Sequence, residues 1–345
     1  MPLHSEIHEQ PQILSNLLAQ QWSEIQEIAR QIRSFDIDFI FMVARGTSDN
    51  AARYAQYLMG AANGLPIALA TPSLFTIYEA PPRLKRALVI GVSQSGKSPD
   101  IVRVLEQARS QGCPTLAITN APGSDLNNAA AFQINIQAGL EAAVAATKSY
   151  TAQLMAIAML SAALNDDMGA YATLQRVPEW IDQVLRMDST IQQMAERYRY
   201  MNQCVVIGRG YNYSTAFEWS LKLKELTYVV AEPYSSADFQ HGPIAVVDRG
   251  FPVMAVMPEG RVLPDLMDLA ERLHTEKKAE LLVISNHPQA LALAKSPIHL
   301  PVDLPEWVSP LVAIVPGQLF CYHLTRAKGY DTESPRGLLK VTETR

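Results

Sequence analysis

The sequence contains little cysteine, and its three cysteines lie far apart. Cys113, Cys204 and Cys321 are odd in number and widely spaced along 345 residues. They match neither the dense, even-numbered pattern of a disulfide framework nor the closely spaced pairs of a zinc site. We therefore expect free thiols, a reducing compartment and no metal ion held by cysteine.

Excess positive charge and long apolar runs are also missing. The chain has 29 Lys and Arg against 34 Asp and Glu, a formal net charge of −5, which argues against a nucleic-acid partner bound through a basic surface. No apolar run approaches the roughly 20 residues that a membrane span needs, and the N-terminal residues show no basic, apolar signal region. We therefore expect a soluble cytoplasmic protein with no nucleic-acid partner and no membrane partner.

The length allows two domains, and an internal repeat supports that number. The segment around Arg45 resembles the segment around Arg209, 164 positions further along (209 − 45). The same offset aligns the apolar run that begins at Leu88 with the run that begins at Pro252. A third strand end matches once about two residues are inserted, so the pattern indicates a tandem duplication of one unit.

Each unit alternates short apolar strands with helices, which is typical of a parallel, doubly wound sheet. The fold class is therefore α/β, with two tandem five-stranded parallel sheets of flavodoxin-like type, each flanked by helices. In the first unit we expect strands near 39–44, 66–70, 87–92, 115–119 and 132–137, and helices near 48–62 and 99–111.

Helical segments surround these sheets and suggest where the domains divide. A first helix near 12–33 precedes the first sheet, and a long helical stretch near 147–198 joins the halves. The expected division is an N-terminal helical segment at 1–35, a first domain at 36–165, linking helices at 166–198, a second domain at 199–330 and a C-terminal tail at 331–345.

The segment after the strand at 87–92 predicts a binding site. Residues 93–98 (Ser-Gln-Ser-Gly-Lys-Ser) offer hydroxyls, an amide and a flexible glycine, and Pro99 then stands at the first helical position. Free N–H groups at the helix start complete a site for an anion, and a phosphate suits it best. Because ligands of such sheets sit outside the carboxyl ends of the strands, Thr47 and Ser48 belong to the same site. A capped turn without a ligand is the alternative.

The second copy lacks this loop and carries other polar residues. It has Met257 to Gly260 where the first copy has hydroxyls, so we expect no phosphate there. Glu218, Lys222 and Glu225 are spaced i, i+4, i+7 and share one face of a helix. A His in a Gly-Pro loop follows at 241. A solvated face with ordinary ion pairs and a structural histidine are the alternatives.

Seven segments together resemble one family. They are residues 6–11 (Glu-Ile-His-Glu-Gln-Pro), 45–48 (Arg-Gly-Thr-Ser), 93–96 (Ser-Gln-Ser-Gly), 143–148 (Ala-Val-Ala-Ala-Thr-Lys), 221–225 with 239–243, and 334–340 (Ser-Pro-Arg-Gly-Leu-Leu-Lys). The chain thereby resembles the sugar isomerase (SIS) phosphosugar-binding domains, in the pair found in the isomerase half of glutamine–fructose-6-phosphate aminotransferases. The resemblance implies two SIS domains, a phosphosugar ligand, and no metal ion or organic cofactor.

The resemblance also implies a role for each matching residue. Phosphate and sugar hydroxyls would be bound by Thr47, Ser48, Ser93, Gln94, Ser95 and Ser98, and the sugar would touch the backbone of Val144 and Ala145. Glu225 would move a proton between C1 and C2 of the open-chain sugar, and His241, donated by the neighbouring subunit of a homodimer, would open the sugar ring. Lys222 would stabilise negative charge. Lys340 forms a Schiff base in the aminotransferases, and its role outside them stays open.

Departures from the aminotransferase pattern narrow the expected activity. We expect no glutaminase domain, and Arg45 and Lys97 stand where the aminotransferases have Cys and Glu. The resulting prediction is a glucosamine-6-phosphate deaminase that forms fructose 6-phosphate and ammonia. The alternatives are another SIS isomerase, a deglycase or an ammonia-dependent synthase. A non-catalytic phosphosugar sensor is a further alternative, and it would not need Glu225, His241 or Lys340.

Overall fold

The computed structural model describes residues 2–340, which divide into two compact units. The sheet A unit consists of residues 12–141, 148–176 and 339–340, and the sheet B unit consists of residues 2–11, 142–147 and 177–338. Each unit therefore consists of several separate stretches of the chain. The expected domain boundaries stay predictions, and residues 341–345 of the expected tail lie outside the described residues.

The helices are numbered in chain order. They are α1 (Pro2–His8), α2 (Gln10–Ile32), α3 (Gly46–Asn63), α4 (Ser73–Thr76), α5 (Pro99–Ser110), α6 (Asp125–Ala129), α7 (Lys148–Leu164), α8 (Met168–Leu174), α9 (Val177–Leu185), α10 (Asp188–Arg197), α11 (Tyr213–Lys222), α12 (Ser236–Gln240), α13 (Leu263–Thr275), α14 (Pro288–Leu293) and α15 (Ser309–Ala327). The long helical stretch expected near 147–198 is thus four shorter helices, α7 to α10.

Sheet A has five parallel strands in the order β2-β1-β3-β4-β5. The strands are β1 (Phe39–Val43), β2 (Ile67–Leu69), β3 (Ala87–Ser93), β4 (Thr115–Thr119) and β5 (Phe132–Asn135). This is the strand order of flavodoxin-like sheets. The predicted α/β fold class is confirmed.

Sheet B repeats the same topology. Its strands are β6 (Gln203–Gly208), β7 (Val230–Ser235), β8 (Pro252–Val256), β9 (Glu280–Ser285) and β10 (Ser296–His299), in the order β10-β9-β8-β6-β7. The register repeats as well, since Phe41 pairs with Val89 in sheet A and Val205 pairs with Val253 in sheet B. Each residue of the second pair lies 164 positions after its counterpart in the first pair, the same offset that relates Arg45 to Arg209. The strand pairing therefore supports the internal repeat.

The packing of α5 on sheet A shows why these residues form these elements. Ile101, Val104, Leu105 and Ala108 are buried on α5 at helical spacing, so one apolar stripe faces the sheet. Every residue of β3 is buried. A Cβ on Gly91 of that strand would lie 2.9 Å from the side chain of Leu105, so the glycine permits the close approach that brings the start of α5 to the end of β3.

One helix overturns a sequence-based expectation. Among the described residues, Glu306–Ala327 is long and apolar enough to cross a membrane by length and composition alone, although we expected no such segment. The whole of its apolar window is buried inside the structure. Apolar residues on all sides are also what a helix surrounded by protein requires.

Candidate active site

The loop between β3 and α5 is compact and rich in hydroxyl groups. The Oγ of Ser93 accepts a hydrogen bond from the N–H of Gly96 at 3.1 Å, and the Oγ of Ser95 accepts one from the N–H of Lys97 at 3.4 Å. Gly96 has a φ of +63°, and a Cβ there would lie 2.1 Å from the Oγ of Ser124. The turn therefore needs glycine, and it holds the two serine side chains in fixed positions.

The start of α5 leaves polar groups for a ligand. Ser98 is the N-cap residue, and its side chain makes no capping hydrogen bond in the described structure. Pro99 occupies the first turn, where the missing N–H costs nothing. The N–H of Ile101 in the first turn already donates to Oδ1 of Asp100 at 2.9 Å, so an anion would meet the hydroxyl of Ser98 and the positive end of the helix dipole.

The second predicted phosphate segment lies at the same edge of sheet A. Thr47 and Ser48 belong to the first turn of α3, directly after β1, and β1 pairs with β3 through Val43 and Gly91. The strand order changes direction between β1 and β3, which is where open α/β sheets bind ligands. Ser48 is buried, and its Oγ accepts a hydrogen bond from Gln153 at 3.0 Å. Both segments and Gln94 thus belong to one edge of one sheet.

The two residues that depart from the aminotransferase pattern add positive charge to this edge. The Nε of Arg45 lies 2.7 Å from Oδ2 of Asp100, a carboxylate with no exposed side-chain surface. Lys97 is exposed within the loop itself. The ion pair joins the start of α3 to the start of α5, so it fixes the two predicted binding segments relative to each other.

In the sheet B unit, a buried lysine lies between two carboxylates. The Nζ of Lys222 is 2.5 Å from Oε2 of Glu225 and 3.4 Å from Oε1 of Glu218. Lys222 and Glu218 are buried, whereas Glu225 keeps 23% of its side chain exposed. The alternative of a solvated face with ordinary ion pairs is therefore wrong. The arrangement offers one accessible carboxylate beside a fixed ammonium group.

A π-helical turn positions Glu225. Helix α11 ends at Lys222 and continues as one π-helical turn, Leu223–Thr227, that ends at Tyr228 with a φ of +57°. Such turns are rare in proteins, and those that occur often lie at functional sites. The turn keeps Leu223 and Leu226 buried while Glu225 faces outward. The sequence analysis placed Glu225 on a regular α-helix and did not predict this π-helical turn.

His241 lies on an exposed loop of the sheet B unit. It follows α12, and its N–H donates to the carbonyl of Asp238 at 3.1 Å. Gly242, with a φ of +134°, then turns the chain away from the helix. His241 and Val246 are both exposed on this loop. The imidazole is thus accessible from outside the unit.

The segment with Val144 and Ala145 is held by a residue that the sequence analysis missed. Glu6, a buried carboxylate on α1, accepts hydrogen bonds from the N–H groups of Ala142 and Ala143. These two residues directly precede Val144 and Ala145. Glu6 belongs to the first matching segment, but its partner lies 137 positions away and could not be read from the spacing.

Lys340 contacts another missed carboxylate within the sheet A unit. Its Nζ lies 3.0 Å from Oε2 of Glu141, which has no exposed side-chain surface. Glu141 also accepts hydrogen bonds from the N–H of Ser149 at 3.1 Å and from its hydroxyl at 2.8 Å. A lone acidic residue within the apolar run at 138–147 was the only signal for it in the sequence.

The three cysteines are free thiols, as the sequence analysis predicted, and all three are buried. Burial raises the pKa of the Cys204 thiol to about 12. It also raises the pKa values of Cys113 and Cys321 above the ordinary value of a cysteine thiol. None of the three is a reactive thiolate at neutral pH.

Known proteins resemble this chain over almost its whole length. The glutamine–fructose-6-phosphate aminotransferase of Methanothermobacter thermautotrophicus is 36% identical over 339 residues, which are 97% of this chain and 56% of that protein. The chain therefore spans little more than half the length of the curated relatives it matches.

Two solved structures share the fold. The C-terminal domain of glucosamine-fructose-6-phosphate aminotransferase from Francisella tularensis superposes with a TM-score of 0.86 at 26% identity, covering 97% of this chain and 98% of that domain. A glucosamine-6-phosphate deaminase from Thermotoga maritima superposes with a TM-score of 0.80 over the whole of both chains, and at 18% identity it shows the fold alone.

The family model of the SIS domain matches twice. It covers residues 35–163 and residues 198–325, and each match contains one of the two five-stranded parallel sheets. The chain belongs to the SIS domain family.

Proposed function

We propose that this protein is an amino-sugar-phosphate deaminase that converts glucosamine 6-phosphate and water to fructose 6-phosphate and ammonia. The observation that carries the proposal is the contact between Lys222 and Glu225 at 2.5 Å. Moving a proton between two neighbouring carbons requires one accessible base that can take it and return it. A fixed cation beside that base can stabilise the negative charge that develops on the substrate.

The substrate would be held by its phosphate at the edge of sheet A. Ser93, Ser95 and Ser98 supply hydroxyls, and the start of α5 supplies the positive end of its helix dipole. Thr47 and Ser48 supply further hydroxyls from the start of α3. Hydrogen bonds to a charged phosphate are stronger than those to neutral groups, so this loop favours phosphorylated sugars.

The proposed reaction has three steps. His241 moves a proton from the C1 hydroxyl to the ring oxygen, which opens the ring and exposes the C1 aldehyde. Glu225 then takes the proton from C2 and returns it to C1, so the amine becomes a C2 imine. Water adds to the imine carbon, and the C–N bond breaks to give the ketone of fructose 6-phosphate and ammonia. None of these three steps uses Lys340, which contacts Glu141 at 3.0 Å.

We further propose a soluble cytoplasmic homodimer in which His241 is donated to the site of the neighbouring subunit. The exposure of His241 supports this, because its imidazole is accessible from outside the unit.

A second activity is favoured by the relatives. The curated relatives are glutamine–fructose-6-phosphate aminotransferases, so the same site can be proposed to run the reverse chemistry and load ammonia onto fructose 6-phosphate. Arg45 and Lys97, which depart from the aminotransferase motifs, favour the deaminase.

Ammonia release from a panel of amino-sugar phosphates tests the proposal. We expect ammonia and fructose 6-phosphate in equal amounts from glucosamine 6-phosphate, and little turnover of unphosphorylated glucosamine. Glucosamine 6-phosphate formed from fructose 6-phosphate and ammonium, with no net release, would favour the second activity. Turnover of neither substrate pair, with tight binding of phosphosugars retained, would favour the sensor.

Mixing two inactive variants tests the donated histidine. Glu225→Gln and His241→Ala proteins, each slow alone, should regain about a quarter of wild-type activity after random subunit exchange, because half of the dimers are hybrids with one intact site. No recovery despite exchange proven by mass spectrometry would assign both groups to the site of a single chain.

A further inference from the structure

Three of the seven histidines gather around one aspartate in the sheet B unit. The Nε2 of His4 lies 2.8 Å from Oδ2 of Asp188, and the Nε2 of His323 lies 2.5 Å from Oδ1. The Nε2 of His8 lies 3.6 Å from Oδ2 of the same carboxylate. The four residues come from α1, α10 and α15, and no step of the proposed reaction uses them.

The hydrogen bonding of His8 points to a cation. Its Nδ1 lies 3.0 Å from the carbonyl oxygen of His4, and because a carbonyl can only accept, Nδ1 carries the proton. In the neutral imidazole the other nitrogen then presents a lone pair. That lone pair faces a carboxylate oxygen of Asp188, which is also an acceptor. A proton on Nε2 or a bound metal ion makes such a pair of facing acceptors favourable, and the metal ion would also engage the two neighbouring histidines.

We propose that His4, His8, Asp188 and His323 bind one divalent cation of the Zn²⁺ type. Imidazole nitrogen and carboxylate oxygen are the ligands that Zn²⁺ accepts, at about 2.0–2.2 Å. The ligand atoms of His4, Asp188 and His323 lie within 4.8 Å of one another. The ligands of a tetrahedral Zn²⁺ ion with such bonds lie about 3.4 Å apart, so side-chain shifts of up to about 1.5 Å would complete the site.

The surroundings of the cluster suit a structural metal site. The backbone carbonyl of His4 orients the ring of His8, which is the outer hydrogen bond that metal-bound histidines commonly make. The ring of Tyr322 packs 4.8 Å from that of His4 and the ring of His8 packs 4.4 Å from it. His323 is buried. Rings that are held in place lose little freedom when an ion binds.

The cation would anchor α1 on the sheet B unit. His4 and His8 flank Glu6 on that helix, and Glu6 holds the N–H groups of Ala142 and Ala143. An ion bound by α1, α10 and α15 would therefore stabilise the helix that holds the segment before Val144. The sequence analysis missed this site because only the i, i+4 spacing of the two α1 histidines is visible in the sequence.

Titration of untagged, chelator-treated protein with ZnCl₂ in a calorimeter tests the site. We expect one Zn²⁺ per chain and a melting temperature raised by about 5 °C at a hundredfold excess over Kd. Co²⁺ in place of Zn²⁺ should give visible absorption bands from the bound ion, a readout that does not involve activity. His8→Gln should weaken Zn²⁺ binding by about 100-fold or more, since even outer partners of such sites are worth 10- to 100-fold.

Matched variants separate this site from adventitious binding. His299→Gln, at an exposed histidine of β10 in the same unit, should leave affinity and stoichiometry unchanged. His8→Gln replaces a half-exposed residue and should melt like the wild type in the absence of metal. Absence of Zn²⁺ binding by wild-type protein, or equal affinity of wild type and His8→Gln, would overturn the proposal.

Discussion

The loop after β3 in the sheet A unit and the loop after β8 in the sheet B unit are two copies of one turn with different contents. Gly96 and Gly260 occupy the same repeat position, and both have a positive φ. In sheet B the carboxylate of Glu306 accepts hydrogen bonds from the N–H of Arg261 at 2.9 Å and from the N–H of Val262 at 3.4 Å. A Cβ on Gly260 would lie 2.3 Å from that side chain.

Sheet B thus supplies its own anion at the start of α13. In sheet A the corresponding turn carries Ser93 and Ser95, whose hydroxyls are neutral, before the start of α5. The N–H groups at a helix start attract negative charge wherever it comes from. Sheet A also has a carboxylate at this helix start, that of Asp100, which accepts from the N–H of Ile101 and pairs with Arg45. What distinguishes sheet A is therefore the pair of serine hydroxyls in the loop.

The starts of α3 and α11 are alike in one respect, because Ser48 and its sheet B counterpart are both buried and hydrogen-bonded within their own unit. Asn212, the sheet B counterpart of Ser48, is buried and bonded within the unit: its amide donates to Ser309 at 2.6 Å and accepts from Thr215 at 2.9 Å. Sheet B has instead gained the Lys222–Glu225 contact. One copy of the repeat retains the features of a binding site, and the other carries the proposed chemistry.

The largest expected effect falls on the base in sheet B. Glu225→Gln keeps the shape of the side chain but removes proton transfer, so kcat should fall by roughly 10²–10⁴ with KM little changed. Glu232→Gln, at an exposed glutamate of the neighbouring β7, is the matched control and should keep wild-type kinetics. A fully active Glu225→Gln enzyme would remove the proposed base.

The next effect falls on the loop in sheet A. Ser93→Ala combined with Ser95→Ala should raise KM for the phosphorylated substrate by about 100-fold or more, because each hydrogen bond to a charged group contributes about 1.5–3 kcal/mol. Steady-state kinetics measure the change. Glu259→Ala, at the exposed residue of the sister loop that corresponds to Ser95, should leave KM unaltered. An unchanged KM in the double variant would place the phosphate elsewhere.

Sequence reasoning succeeded where the signal is local. Strands such as β3 are short apolar runs, and the hydroxyl-rich loop follows one of them directly, so the sheet and the place of this loop at its edge could be predicted. The repeat then transferred the same architecture to the second half of the chain. These features depend on neighbours in sequence and on the periodicity of burial.

Features that depend on distant contacts could not be predicted. Lys340 meets Glu141 across 199 positions, and His4 meets Asp188 across 184. The burial of Lys222 and the π-helical turn after it depend on tertiary packing, which overrides local propensity. An i, i+4, i+7 pattern of charges indicates a shared face of a helix but does not tell whether that face meets solvent.

A smaller effect should test the internal anion of sheet B. Glu306→Ala removes a carboxylate that accepts two backbone N–H groups, so the free energy of unfolding should fall by about 2 kcal/mol, near the lower end for such bonds because the residue is half-buried. Glu306→Gln should lose less, since it keeps an acceptor. Urea unfolding measures both, with Glu259→Ala at the exposed neighbour as the control. A loss no larger than the control's would show that the turn does not need the anion.

The smallest effect compares an ion pair that occurs in both copies. Arg45 pairs with Asp100 at 2.7 Å in sheet A, and Arg209 pairs with Asp265 at 3.3 Å in sheet B. The Asp100 side chain has no exposed surface, whereas Asp265 is 57% exposed. Arg45→Ala leaves a buried carboxylate without its ionic partner and should lower the free energy of unfolding by about 1 kcal/mol, an effect moderated because Arg45 itself is half-exposed.

Arg209→Ala removes an exposed pair and should change the free energy of unfolding by less than about 0.5 kcal/mol. Urea unfolding at low and high salt measures both variants, and high salt should erase only the Arg209 contribution, since exposed pairs are screened. Arg45→Lys should recover part of the loss, because it restores the charge but not the guanidinium geometry. Equal losses for Arg45→Ala and Arg209→Ala would show that burial of the aspartate does not distinguish the two copies.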